Sequence, residues 1–197
     1  MMKKLVILSV LVAIGASSQA IAYEKGDIVV RVGAAMVKPA GDGALDGALD
    51  VGNNTQLGLD GTYMLTDQIG VGVLAATPFK HDIELNGAKI GTTKHLPPTI
   101  TAQYHFNTGT NFHPYVGAGV NYTQFFSERS SLGDLELAHS VGLAAEAGFD
   151  FEIDKKWGLN VGVWHADIDS KAKLNGTKLD TVEVDPWAYM IGASYKY

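Results

Sequence analysis

The side chains able to do chemistry are scattered along the chain. There are six histidines (His81, His95, His105, His113, His139 and His165) and no cysteine. H-E-x-x-H, G-x-S-x-G and the phosphate loop G-x-x-x-x-G-K-[ST] are all absent. Gly70-Val71-Gly72 and Gly117-Ala118-Gly119 begin a dinucleotide fingerprint that neither completes. Asp167 and Asp169 open like a calcium loop but lack its glycine and distal Glu. His165 beside Asp167 or Asp169 is the only pairing that resembles a base with its orienting carboxylate, and the sequence places no serine with it. His81 and His95, with Asp82 and Glu84, contain the residue types of a surface metal site. Their spacing does not define one, so solvated side chains are expected. No catalytic residue, metal or cofactor is therefore assigned. Asn53-Asn54-Thr55, Asn121-Tyr122-Thr123 and Asn175-Gly176-Thr177 match the glycosylation sequon, which a bacterial-type export signal leaves idle.

That signal occupies residues 1–22. Lys3 and Lys4 form a basic start, Leu5–Ala16 an apolar stretch, and Ala20-Ile21-Ala22 a small-residue cleavage site. The apolar stretch is shorter than the roughly 20 residues a spanning helix needs. A mature chain starting at Tyr23 would have 197 − 22 = 175 residues, which suits one domain, 23–197. Losing Lys3 and Lys4 takes the formal charge from −6 to −8. An acidic chain without a basic run argues against nucleic-acid binding. Without cysteine an exported fold has no disulfide staples and must close through backbone pairing and packing.

The elements that position these residues are strands. Trp187, Tyr189, Ile191, Ala193, Tyr195 and Tyr197 share one parity, and Ala188, Met190, Gly192, Ser194 and Lys196 the other. Strand side chains point alternately to opposite faces, so one face is apolar with aromatic ends. Seven further stretches alternate in the same way: Asp27–Val37, Thr55–Leu65, Gln68–Phe79, Pro98–Phe106, His113–Phe126, Ser140–Phe151 and Trp157–Ala166. The eighth runs from about Val182 to Tyr197. Short connections (Thr66-Asp67, Asn107–Phe112, Glu152–Lys156) alternate with long ones (Lys38–Asn54, Lys80–Pro97, Ser127–His139, Asp167–Thr181). This rhythm predicts an all-β fold: an eight-stranded antiparallel transmembrane β-barrel with short periplasmic turns and longer extracellular loops. Asp134–Leu137 in the third long loop reads as a short helical turn.

In such a barrel the apolar face meets lipid and the other faces a narrow lumen. The aromatics Tyr63, Phe79, Tyr104, Phe106, Tyr122, Phe149, Phe151, Trp187 and Tyr197 would then form interfacial girdles. The lumen would receive glycines and the polar side chains Arg31, Gln56, Asp60, Gln103, His105, Asn121, Glu146, Asp150, Asn160 and Lys196. Parity also places Leu74, Trp164, Met64 and Met190 inside. Large apolar side chains in a lumen either fill it or form a hydrophobic gate or ligand site. Eight-stranded barrels have little free interior, which favours filling.

Several segments resemble the outer membrane protein W (OmpW) family. They are NNTQLGLDGTY at Asn53–Tyr63, GVGVLAATPF at Gly70–Phe79, HLPPT at His95–Thr99, HPYVGAGVNY at His113–Tyr122, VWHADID at Val163–Asp169 and DPW at Asp185–Trp187. The resemblance covers nearly the whole mature region. It implies a barrel in the outer membrane of a Gram-negative bacterium that passes small hydrophobic molecules, with possible lateral release into the membrane. Leu74 and Trp164 match the family positions of an apolar constriction. Barrels of this kind usually finish on Phe where this chain has Tyr197, and the aromatic ring needed for handover to the barrel-assembly machinery is kept. The GALDGALD stretch of the first loop departs further, so no loop ligand is carried over. The expected surroundings are outer-membrane lipid and small hydrophobic molecules. The alternative is a structural or receptor barrel whose extracellular loops bind phage, bacteriocin or host surfaces.

Overall fold

The computed structural model describes residues 23–40, 49–85 and 88–197. The expected signal segment and most of the Gly- and Asp-rich first loop lie outside the described residues. Among the described residues fourteen strands follow one another: β1 Ile28–Lys38, β2 Leu49–Val51, β3 Asn54–Met64, β4 Ile69–Ala76, β5 Phe79–Leu85, β6 Ala88–Leu96, β7 Thr99–His105, β8 Phe112–Ser130, β9 Leu135–Leu137, β10 Ser140–Glu152, β11 Trp157–Ala166, β12 Asp169–Leu174, β13 Thr177–Glu183 and β14 Trp187–Lys196. Eight of them close an antiparallel ring in the order β1, β3, β4, β7, β8, β10, β11, β14. The last strand closes on the first, from Val29 opposite Lys196 to Lys38 opposite Trp187.

The alternation decides which side faces lipid. Ile191 and Leu143 are 65% and 69% exposed, whereas the intervening Met190 and Ala144 are buried. The predicted outward face is therefore outward in the structure, with Tyr63, Tyr104, Tyr122 and Trp187 exposed towards its two ends. Tight turns hold the periplasmic end. Between β3 and β4 the Thr66 hydroxyl accepts the Ile69 N–H at 2.9 Å. Between β10 and β11 the Asp154 carboxylate accepts the N–H groups of Lys156 and Trp157 at 2.8 and 2.9 Å, which lowers its pKa.

The long connections lie at the opposite end, as expected, and much of their described length is itself sheet. β8 runs on beyond the ring, and its upper part pairs with β6, which pairs with β5, which pairs with β2. A separate sheet joins β13, β12 and β9. Its apolar side packs Ile168, Ala172, Val182 and Val184 against Phe125 and Leu137. The Asp134–Leu137 segment is not a helical turn: residues 135–137 form β9, held against Leu174 to Ala172 of β12. The eighth stretch does not begin at Val182 either. Val182 belongs to β13, and the chain turns at Asp185 (φ 34°) and Pro186 before β14.

Pro78 produces the largest departure. In β4 the even-numbered residues face inward. After Thr77 and Pro78 the pleat resumes with Phe79, His81 and Ile83 buried. Proline supplies no N–H to a ladder, so the strand breaks there and its phase shifts by one. Phe79, expected in the outer girdle, therefore faces the interior and is 2% exposed. His81 and His95, expected in solvent, are buried beside it. Their rings stack at 4.8 Å with an interplanar angle of 13°, and His95 also stacks on Phe79 at 5.5 Å.

Two outcomes test this arrangement. Ile191 lies midway along β14 on the lipid face, so Ile191→Arg is expected to cost about 2–4 kcal/mol in reversible unfolding from lipid vesicles. Ile153→Arg, in the periplasmic turn, should cost about 1 kcal/mol or less. The second outcome is pH dependence. Burial pushes both imidazole pKa values down, His95 to about 3 with the neighbouring His81 adding to it. A depressed histidine is neutral in the fold and charged more readily when unfolded. The extension is therefore fully stable above the ordinary value of about 6.5 and loses stability as pH falls towards 3. Amide protection in β5 and β6, corrected for intrinsic exchange, should be lower at pH 4.5 than at pH 7.5, and His95→Phe should flatten that difference.

Candidate functional site

The lumen has two compartments. The periplasmic one is polar and filled. Arg31 on β1 is fully buried, and its guanidinium bridges carboxylates from opposite sides of the ring. Arg31 Nη2 donates to Asp150 on β10 at 2.7 Å and Arg31 Nη1 pairs with Asp60 on β3. Nη1 also reaches the Thr62 hydroxyl at 2.8 Å, and the guanidinium lies 4.6 Å from the centre of the Tyr115 ring on β8. Asn160 on β11 donates to Asp150 at 3.0 Å, and the Tyr23 hydroxyl donates to the same carboxylate at 2.8 Å. Such a charge is tolerable away from water only when its donors are met by charged acceptors, and here most are.

The network continues across β7. Thr62 donates to Gln103 Oε1 at 2.9 Å, and Gln103 Nε2 donates to Glu146 at 2.9 Å. The Thr101 hydroxyl binds the same carboxylate, and His105 meets Gln103 at 3.0 Å. Six strands thus contribute to one hydrogen-bonded floor, beneath which Tyr23, Val29 and Met64 form a small apolar seal.

The extracellular compartment is apolar. Trp164 on β11, Met190 on β14, Ala35 and Val37 on β1 and Phe79 on β5 are buried together, with Leu74, Ala76 and Ala188 packed against them. The Trp164 ring lies over Gly162, where a Cβ would collide with it. A cavity of about 30 Å³ remains beside Trp164, reaching Leu74, Ala75, Ala76 and Pro97. The β4–β7 ladder stops at Leu74 opposite Thr99, next to Pro97 and Pro98, neither of which has an N–H to extend it. The two compartments meet where Trp164 stands opposite Glu146 in register.

The residues singled out from sequence separate accordingly. Leu74, Trp164 and Met190 come together in the apolar compartment. Met64 does not join them, because it lies at the other end of the lumen with Tyr23 and Val29. Arg31, Asp60, Gln103, His105 and Glu146 form the floor. Gln56 is not part of it: it sits at the extracellular rim, donating to Asn54 at 2.8 Å and accepting from Thr77 at 2.9 Å. Asn121 is also apart, donating to Thr99 at 2.9 Å and accepting from Thr123 at 2.6 Å. His165 lies 3.9 Å from Asp167 and stacks on Trp187 at the outer rim. Among the described residues no group of three or more potential metal ligands converges.

Sequence reasoning left several contributors unassigned. Thr62 and Tyr115 could have been found, because each shares parity with Asp60 or with lumen glycines, whereas Asp150 and Asn160, expected on the polar face, do join the floor. Tyr23 and Phe79 carried no such signal, since one precedes the first strand and the other follows a phase break.

The fold agrees with that of related proteins. The family model described as "OmpW family" matches residues 24–197. The outer membrane protein W of Escherichia coli K12 is 44% identical, covering all of both chains. The crystal structure of the outer membrane protein OprG from Pseudomonas aeruginosa superposes with a TM-score of 0.79 at 39% identity, covering 90% of this chain and 98% of that one. A more distant relative is the dibenzothiophene metabolism operon protein PahQ of Pseudomonas aeruginosa, 26% identical over 59% of this chain and 58% of its own length. An eight-stranded closed ring, lipid-facing outside and filled within, matched along nearly its full length, belongs to the OmpW family of Gram-negative outer-membrane β-barrels.

Proposed function

We propose that this barrel passes small apolar molecules through the outer membrane, with Leu74, Trp164 and Met190 forming its constriction. The observation that carries this reading is the layering of the lumen. An apolar chamber on the extracellular side stands above a polar floor in which Arg31, Asp60, Thr62, Gln103, Tyr115 and Asn160 are each at most 2% exposed. A charged, hydrogen-bonded floor repels hydrocarbon and offers ions no open path. An apolar molecule arriving from outside therefore partitions into the chamber and stops at Trp164.

The way out then runs sideways. The cavity beside Trp164 reaches Ala75 and Pro97, where the β4–β7 ladder ends. A molecule leaving there enters the bilayer without crossing the floor. A relative is named for a dibenzothiophene metabolism operon, and dibenzothiophene is an apolar aromatic compound, which supports the same class of cargo.

The constriction is tested in proteoliposomes to which an apolar fluorescent probe is added from outside. Trp164→Ala should accelerate probe entry by about tenfold, the effect of removing a barrier of about 1.4 kcal/mol. Ion conductance should stay at background, because the Arg31 floor is untouched. Leu74→Arg should slow entry by a similar factor. Unchanged entry in both variants would sink the gate.

A further inference from the structure

The barrel wall has a window on the extracellular side of the β4–β7 ladder. The last rung below it pairs Leu74 with Thr99, and pairing resumes above it at Phe79 opposite His95. Residues 75–78 and 96–98 lie on either side, and Pro78, Pro97 and Pro98 have no N–H with which to bridge it. The proline side is backed by β8, with Leu96 opposite Gln124 and Thr99 opposite Asn121. One backbone bond serves the prolines there, from the Tyr122 N–H to the Pro98 carbonyl at 3.0 Å.

Pro97 lines the cavity beside Trp164, and its carbonyl is met by two side chains. Asn121 Nδ2 donates to it at 3.2 Å and the Thr99 hydroxyl at 3.1 Å. Beside hydrocarbon no water can replace such bonds. The orientation of the Asn121 amide follows from its neighbours. A carbonyl only accepts, so the nitrogen faces Pro97, and Asn121 Oδ1 turns the other way to accept from the Thr123 hydroxyl at 2.6 Å. Asn121 and Thr123 are both fully buried, so the second bond holds the amide on the prolines.

We propose that Asn121 is a positioning residue, a latch that sets how readily the window opens for cargo leaving the chamber sideways. It acts through Pro97 rather than on the cargo. The resting cavity of about 30 Å³ is too small for an aromatic molecule, so passage requires the Pro97–Pro98 segment to move outward, and that movement breaks the bonds to Asn121. This assignment rests on the transport reading and deepens it by naming what limits the sideways step.

The test uses the full-length protein in proteoliposomes, with an apolar fluorescent probe added from outside over a range of concentrations. Asn121→Leu, similar in size but without a donor, should raise the maximal entry rate about fivefold, the effect of losing one net hydrogen bond of about 1 kcal/mol. The half-saturating concentration should stay within about twofold, because the chamber wall is untouched. In lipid nanodiscs the Tyr122 amide, bonded to Pro98, should exchange faster in the variant, and the amides of the β1–β14 seam should not. Thr123→Val should shift rate and exchange the same way by less. Heat-modifiable gel migration checks folding, and if Asn121→Leu does not fold, Thr123→Val decides. A faster Tyr122 amide with an unchanged maximal rate overturns the latch and leaves the transport reading standing, since cargo then leaves elsewhere. An unmoved Tyr122 amide overturns it too, as does a half-saturating concentration that rises with the rate. If the wild type carries no more probe than protein-free vesicles, both readings fall.

Discussion

Inside a bilayer no water is available to backbone N–H and C=O groups, and an unpaired one costs several kcal/mol. Each strand of this chain that enters the hydrocarbon must therefore have a partner on both sides, and the pairing of β1 with β14 removes the last free edges. Other features follow from that closure. A ring of eight strands is narrow, so its interior must be filled by side chains. The period of two then forces alternate residues into that interior, whatever their type. Glycine makes room where a large neighbour lies flat, as at Gly162 beneath Trp164. The apolar residues, which a soluble barrel would hide, turn outward to lipid.

Filling a narrow interior with polar groups requires near-complete internal hydrogen bonding. Arg31 meets this demand through its number of donors, which reach Asp60, Thr62 and Asp150 and tie β1 to β3 and β10. Removing either carboxylate would leave charge uncompensated in a dry interior, so the floor is coupled rather than a sum of independent pairs. Above it the wall changes character within about one residue step, from Glu146 to Trp164 across the same rung. This abrupt boundary lets one short barrel hold both a seal and a chamber.

The barrel itself was legible because parity is a strong code where one face meets lipid. Trp187 to Tyr197, Val141 to Phe151 and Trp157 to Ala166 all kept the orientation their alternation assigned. The pairing of the last strand with the first followed from counting. The extracellular extension was not legible. Lys80, Asp82 and Lys94 are charges typical of loops, and β5 and β6 face no lipid, so their apolar rows are short. His81 and His95 stand 14 positions apart in sequence and become neighbours only through the β5–β6 register, which places His81 opposite Thr93 and Phe79 opposite His95. Met64 misled because parity gives the side of the wall but not the height along it.

Pro78 has a consequence for how this surface can change over time. Because the pleat restarts there, the inward set above the proline is independent of the inward set below it. Residues can be gained or lost in the hairpin tip without moving Leu74 or Gly72 out of the lumen. The proline works as a clutch between two alternating patterns. The extracellular hairpin can diversify, while the part folded into the membrane keeps its frame.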